Sequence, residues 1–290
     1  TARPLEGLPI AVKMDVDIAG QPAHLGSRLL ADRVAEQTDW LPRRIAESGG
    51  IIHARTNIPE FCTASFTHNY LSGITRNPWD LELSPGGSSG GSAASLAAGT
   101  SVLATGSDSA GSIRMPACFT GVVGYKPPRG RVPISGDGSF DQMVSSGPMA
   151  RSVSDVAMFA DAISAQDLSD PWSLPASWRD GGELRPTGAL RVAVSPTLGG
   201  FRVEPEIRRM VKGAVERLGD EVAAAEIVEP DWDVAQLNFA GEVMLQLNYA
   251  DPDAPRDALT PYVAAFFEGI ERRRPSDLGV ARRAAHEAWQ

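Results

Sequence analysis

The chain has 290 residues, is 42% apolar and carries a formal net charge of −9. This composition is typical of globular proteins and excludes a chain that is disordered throughout. The acidic balance disfavours a nucleic-acid partner, because that affinity depends on Lys and Arg side chains that neutralise phosphates. The sequence has no apolar run near the ~18 residues of a membrane span and no signal-peptide pattern, which predicts a cytoplasmic protein without a membrane partner.

Hydrophobic periodicity and turn residues predict the elements of the first half of the chain. In order, these are a strand at 8–14, a helix at 38–48, a strand at 51–54, a Gly-Ser-Pro loop at 84–91, a helix at 92–98, a strand at 102–105, a second glycine-serine turn at 107–111, and a helix that begins at or just after Ser112.

The second half continues the alternation of helices and strands. The predicted elements are a helix from 153 to 163 with Ser152 and Asp155 as a capping pair, a strand at 190–194, an amphipathic helix at 204–218 closed by Gly219, a strand at 222–228, and a mostly helical region at 260–290. Alternation of this kind predicts an α/β sheet with helices on both faces. A soft boundary at 167–186 is equally consistent with a linker and with an excursion inside one domain.

The glycine-serine run at 85–92 has three conventional interpretations. A flexible linker is disfavoured, because ordered elements flank the run and a similar turn follows it. The spacing of a phosphate-binding loop is met at Gly86 and Gly91, but Ser92 stands where that loop needs lysine. A nucleophile elbow needs a later histidine, and the only one is His286, near the end of a polar helix.

A serine served by a lysine from elsewhere in the chain is the remaining interpretation. Only three residues are lysines: Lys13, Lys126 and Lys212. Lys13 lies inside an apolar strand, where burial disfavours the charged ammonium and favours the free amine that a general base needs. A lysine at a strand end that extends to solvent is the alternative interpretation.

Several long motifs then resemble those of the amidase-signature family, in the same order. They are PIAVK (9–13), ARTNIPEF (54–61), TRNPWD (75–80), SPGGSSGGSA (84–93), GSDSAGSIR (106–114) and GVVGYKP (121–127). The resemblance implies the family fold, a mixed twisted central sheet flanked by helices on both faces. It also implies an amide hydrolase that needs no metal and no organic cofactor.

The resemblance assigns a role to each matching residue. Ser112 is the expected nucleophile, Ser88 after a cis peptide bond is the bridging serine, and Lys13 is the base. The expected oxyanion hole consists of the backbone N–H groups of Ser109, Ala110, Gly111 and Ser112. Three further residues are expected to support the site from behind, either as catalytic helpers or as ordinary structural contacts: Ser89, Asp108 and Arg114.

The substrate pocket is less sharply implied. Lining residues expected from the resemblance, which could equally belong to the core, are Phe61, Cys62, Phe66, Phe140 and Met143. The substrate is expected to be a small-molecule amide whose identity the sequence leaves open, and a homodimer is one candidate assembly.

The length departs from the family pattern. The sequence predicts a single domain over 1–290, with the signature core at about 7–154 and an α/β and helical portion at about 187–290, and with parts of the family fold missing at both ends. Two other functions stay open: a glutaminase-like subunit of a tRNA-dependent amidotransferase, and a catalytically silent scaffold or binding protein.

Overall fold

A computed structural model describes residues 2–175, 190–218, 222–247 and 255–289. Packing divides the chain into two compact units, one made of Thr1–Arg179 with Asn248–Glu271 and the other of Asp180–Leu247 with Arg272–Gln290. The expected boundary at 167–186 extends into 176–189, and the expected helix end at Gly219 also lies outside the described residues.

The strands are β1 (Pro9–Lys13), β2 (Ile51–Thr56), β3 (His68–Asn69), β4 (Gly73–Ile74), β5 (Leu103–Asp108), β6 (Val123–Gly124), β7 (Ser145–Ala150), β8 (Leu190–Val194) and β9 (Val222–Ile227). The helices are α1 (Trp40–Glu47), α2 (Gly90–Ala97), α3 (Arg114–Thr120), α4 (Val153–Ile163), α5 (Pro205–Glu216), α6 (Val234–Leu247), α7 (Pro261–Glu271) and α8 (Pro275–Trp289).

Five strands form the mixed central sheet of the first unit, in the order β2, β1, β5, β7, β6. β1 pairs in parallel with β2 and β5, whereas β7 pairs antiparallel with β5 and β6. Ile10, Ala11 and Val12 of β1 are fully buried, as expected for a parallel strand that is covered on both faces.

The alternation of side chains along β1 separates two cores. Ile10 and Val12 pack on the face covered by α1 and α4, whereas Ala11 packs on the face covered by α2 and α3. Because side chains two residues apart share a face, Lys13 lies on the same side as Ala11, the side of the glycine-serine loops. The predicted α/β class with helices on both faces is confirmed.

The second unit contains a parallel pair of strands, β8 and β9, and the helices α5, α6 and α8. Its described core is small and lies between α6 and α8, where Ala240 and Val243 meet Ala281 and Ala284. No helix in the described ranges is both long and apolar enough to cross a membrane.

Candidate active site

Lys13 ends β1 as a buried amine, with its side chain only 1% exposed. Its Nζ donates to Ser88 Oγ at 2.8 Å and to Ser107 Oγ at 2.7 Å, and it lies 3.3 Å from Asp15 Oδ2. The interpretation of Lys13 as a strand-end lysine that extends to solvent is therefore wrong. A buried amine surrounded by hydroxyl and carboxylate oxygens can exchange protons with them.

Ser88 lies in the loop that leads into α2 and is almost fully buried. The Gly87–Ser88 peptide bond is cis, as the family resemblance implies. Gly87 is required for close approach, since a Cβ atom there would lie 2.5 Å from Phe66 O and 2.6 Å from Ala64 O. The packed loop holds the Ser88 hydroxyl beside Lys13.

Ser112 lies in the second glycine-serine turn, between β5 and α3. The two loops are joined through their backbones, because Ser89 N donates to Ser112 O at 3.1 Å. Within the described part of the chain, the Ser112 hydroxyl makes no hydrogen bond of its own. Ser112 as a residue is half-buried.

The turn that carries Ser112 is organised around the Asp108 carboxylate. Asp108 Oδ1 accepts from Gly111 N at 2.6 Å, and Oδ2 accepts from Ile113 N at 3.1 Å. Arg114 donates to the two carboxylate oxygens through Nε and Nη2, both at 2.9 Å. Burial alone would raise the pKa of Asp108, but the hydrogen bonds from Arg114, Gly111 and Ile113 outweigh it and lower the pKa to about 2.

One of the four expected oxyanion donors, the Gly111 amide, already has an acceptor. Since the Gly111 amide donates to Asp108, it does not point freely into the site. The amides of Ser109, Ala110 and Ser112 have no acceptor among the residues that the structure describes. Ser89, the third expected supporting residue, is fully buried, and its hydroxyl donates to Ser107 O at 3.3 Å.

The five expected pocket residues do not form one group. Cys62 lies beside the lysine: burial raises the pKa of its thiol, and the Lys13 charge and hydrogen bonds with Ser88 and Lys13 oppose this. Phe61 stacks on Phe267 with ring centroids 6.4 Å apart, and Phe66 meets Tyr262 edge-on at 5.1 Å, so both contact α7.

The remaining two pocket residues lie in the segment before β7. Phe140 ends the 3-10 helix Gly136–Phe140 and is 78% exposed. Met143 is half-buried, and its backbone N donates to Asp141 Oδ1. The described contacts connect neither of them to Lys13, Ser88 or Ser112.

A buried carboxylate fixes the loop that carries Phe61 and Cys62. Glu60 accepts from Ser27 Oγ at 2.6 Å, and from Thr260 N and Thr260 Oγ1 at 2.7 and 2.6 Å. Phe61 and Cys62 have positive φ values of 51° and 60°, which non-glycine residues rarely adopt. A strained loop of this kind persists only where its surroundings hold it, and Glu60 provides that support.

Two residues at the lysine are not expected from the sequence: Asp15 and Ser107. Ser107 Oγ donates to Asp15 Oδ2 and accepts from Lys13 Nζ, which places it between the two charges. The available signal is spacing, since Asp15 follows Lys13 by two residues and Thr105 and Ser107 share one face of β5. Thr105 Oγ1 accepts from Lys13 N at 3.0 Å on that same face.

The amino-acid sequence is similar to those of known amidases and amidotransferase subunits. The family model described as Amidase matches residues 1–258. Putative amidase AmiB2 of Mycobacterium bovis is 35% identical over 272 residues, which are 92% of this chain and 52% of that protein. A glutamyl-tRNA(Gln) amidotransferase subunit of Methanosarcina barkeri is 36% identical over 227 residues, 78% of this chain and 48% of that protein. The chain therefore spans about half the length of the curated relatives it matches.

Structural comparison agrees in fold. A bacterial aryl acylamidase of the amidase-signature enzymes superposes with a TM-score of 0.90 over 100% of this chain and 64% of its own, at 24% identity. At 24% identity the structural match shows the fold alone. The family model and the two relatives, at 35% and 36% identity, also show the family. Together they show that the chain belongs to the amidase family of amidase-signature enzymes.

Proposed function

We propose that the protein hydrolyses a small carboxylic amide through an acyl-enzyme on Ser112, with Lys13 as base and Ser88 as proton relay. The observation that carries this proposal is the buried Lys13 amine, 2.8 Å from the Ser88 hydroxyl in a loop hydrogen-bonded to the Ser112 turn. The relatives support amide chemistry in general, and the roles of the individual residues are the proposal.

The reaction follows from the donors and acceptors at the site. Uncharged Lys13 accepts the Ser88 proton while Ser88 accepts the Ser112 proton, and Ser112 Oγ forms a bond to the amide carbonyl carbon. The C–N bond then breaks, and the proton returns along the same relay to the leaving nitrogen. Water repeats the sequence on the ester, which releases the carboxylic acid and regenerates Ser112.

The proposed oxyanion hole uses the backbone amides of Ser109, Ala110 and Ser112. Preorganised N–H donors stabilise the charge that develops on the carbonyl oxygen, and loss of one such donor costs about 2.7–4 kcal/mol in the barrier. The Gly111 amide is left out of the proposed oxyanion hole because it donates to Asp108, and this hydrogen bond stabilises the turn.

Ammonia or amine release from a panel of aliphatic, aromatic, peptide and urea-like amides tests the proposal. We expect wild type to hydrolyse at least one substrate and Ser112→Ala to lose at least about 10³-fold of that rate, as nucleophile removal does in serine hydrolases. Hydrolysis by Ser112→Ala at the wild-type rate would show that another residue is the nucleophile.

A second function is favoured by one specific observation, the 36% identity to a glutamyl-tRNA(Gln) amidotransferase subunit. In that case the same acyl-enzyme would form from glutamine, and the ammonia would pass to a partner protein. Glutamine hydrolysis that appears only when partner proteins are added would favour this function. Hydrolysis of other amides by the chain alone would favour the first.

A further inference from the structure

A carboxylate lies against the proposed base in a position that the mechanism above does not use. Asp15 Oδ2 is 3.3 Å from Lys13 Nζ, and the Asp15 side chain is 15% exposed. Ser107 bridges the pair, because its Oγ accepts from Lys13 Nζ at 2.7 Å and donates to Asp15 Oδ2. The three groups form a closed triangle.

The triangle fixes the direction of each hydrogen bond. An ionised carboxylate only accepts, so the Ser107 hydroxyl must give its single hydrogen to Asp15. Ser107 Oγ can then only accept from Lys13. Lys13 Nζ donates to Ser107 and to Ser88, and Asp15 attracts it through charge at 3.3 Å. An uncharged lysine keeps two N–H donors and one lone pair. When the hydrogen directed at Ser88 is lost, the lone pair faces Ser88, the neighbour that has to deliver a proton.

The carboxylate also acts through its charge. When Lys13 takes the proton from Ser88, an ammonium forms in a buried place, and a nearby negative charge stabilises it. Other charged or titratable groups face Asp15, namely Arg55 on β2, Asp39 before α1 and the Cys62 thiol. Only Lys13 is within ion-pair distance of Asp15 in the described residues.

We propose that Asp15 is a positioning residue that, through Ser107, orients the Lys13 lone pair toward Ser88 and stabilises the ammonium formed during acylation. The inference rests on the proposed function. Asp15 itself neither gives nor takes a proton, as the third member of a hydrolase triad orients and stabilises the base without being protonated.

The test is the rate of Ser112 labelling by a fluorophosphonate as a function of pH. Asp15→Asn keeps an oxygen that accepts from Ser107 and removes the charge that favours protonated Lys13. We expect the acid limb of its pH profile to move to lower pH by about one unit or more. The plateau rate should fall about tenfold or more, because the ammonium is no longer stabilised.

Ser107→Ala separates orientation from charge. It removes the bridge and leaves Asp15 beside Lys13, so the plateau should fall about tenfold or more while the acid limb stays at its wild-type pH. Asp17→Asn is the matched control, because it removes a carboxylate from the same segment, one that pairs with Arg33 and not with Lys13. Its profile should equal that of wild type.

Each outcome decides the inference. Wild-type profiles for both Asp15→Asn and Ser107→Ala would overturn it while leaving the proposed function intact. Absence of labelling in wild type would overturn the proposed function and this inference with it. If thermal unfolding shows that Asp15→Asn is not folded, the Ser107→Ala plateau decides, since a wild-type rate there contradicts the orienting role.

Discussion

At the residue scale, Asp108 holds the turn that carries Ser112. Its carboxylate accepts from the backbone amides of Gly111, Ile113 and Arg114 and from both Nε and Nη2 of Arg114. Since the pKa of Asp108 in the folded chain is about 2, below its ordinary value of 3.8, the carboxylate stabilises the fold when it is ionised. Its ordinary value describes the unfolded chain.

The pH dependence of stability follows from that depressed pKa. The contribution is fully present above about pH 4 and is lost as the pH falls toward 2, and its size is about 2–3 kcal/mol. We expect the urea midpoint of wild type to fall over this window. Asp108→Asn should flatten that part of the fall, because it removes the titrating group.

The variant Arg114→Met tests whether the Arg114 guanidinium lowers the pKa of Asp108. It removes the guanidinium while keeping an unbranched side chain, so it should also reduce the loss of stability between about pH 4 and 2. If both variants keep the full wild-type slope in that window, the Asp108 carboxylate is not its source.

The residues of the proposed active site differ in how far the sequence predicts them. The motifs at 9–13, 84–93 and 106–114 assign roles to Lys13, Ser88 and Ser112 by resemblance, and the structure brings Lys13 and Ser88 together. Asp15 is two residues after Lys13, but that spacing alone does not predict that the chain turns after β1 and brings the carboxylate back to the lysine. The sequence also does not predict that the Gly111 amide donates to Asp108, because that contact depends on the geometry of the turn.

At the element scale, α2 depends on close approach to the loop after β2. A Cβ atom at Gly91 would lie 2.4 Å from Asn57 N and 2.6 Å from Asn57 O, both backbone atoms that cannot give way cheaply. Gly91 N also donates to Asn57 O at 3.2 Å. Glycine at this position therefore permits the contact between α2 and this loop.

Two glycine-to-alanine substitutions in helices should have opposite signs. Alanine favours a helix over glycine by about 1 kcal/mol, so Gly213→Ala in α5, where a Cβ atom meets nothing within 4 Å, should stabilise its helix. Gly91→Ala should instead destabilise by about 1–3 kcal/mol through overpacking. Thermal unfolding measures both, and a gain in stability for Gly91→Ala would contradict close contact with Asn57 as the reason for glycine.

Secondary structure is predicted well where periodicity is strong and poorly where special residues interrupt it. The prediction of β8 at 190–194 is confirmed, as is Ser152 as the cap of α4, where it accepts from Asp155 N. The sequence does not predict β7, although it lies inside the central sheet, because Gly147 and Pro148 are typical of strand breaks. Gly147 fits there because a Cβ atom would lie 2.3 Å from Tyr125 O.

At the scale of the whole molecule, the first unit joins segments that are far apart in sequence. Glu60 and Thr260 are 200 residues apart and make two hydrogen bonds. Tyr262 reinforces the junction, since its hydroxyl accepts from Glu60 N and donates to His68 O. Local sequence patterns do not predict hydrogen bonds between residues that are so far apart in the chain.

The Glu60 cluster predicts a stability difference between two matched substitutions. Glu60→Gln replaces an acceptor-only carboxylate by an amide that cannot accept from all its present donors, so it should cost about 1–3 kcal/mol in free energy of unfolding. Glu82→Gln changes a side chain that is 89% exposed and should stay within about 0.5 kcal/mol of wild type. Equal stability of the two variants would contradict the anchoring role of Glu60.

The central claim, that Ser112 is a nucleophile activated by Lys13 through Ser88, is tested most directly by intact-mass measurement after fluorophosphonate treatment. We predict one added label on wild type and on the control Ser154→Ala, mapped to Ser112, and no label on Ser112→Ala or Lys13→Ala within the same time. Labelling of Lys13→Ala at the wild-type rate, or a label that persists in Ser112→Ala, would contradict the account.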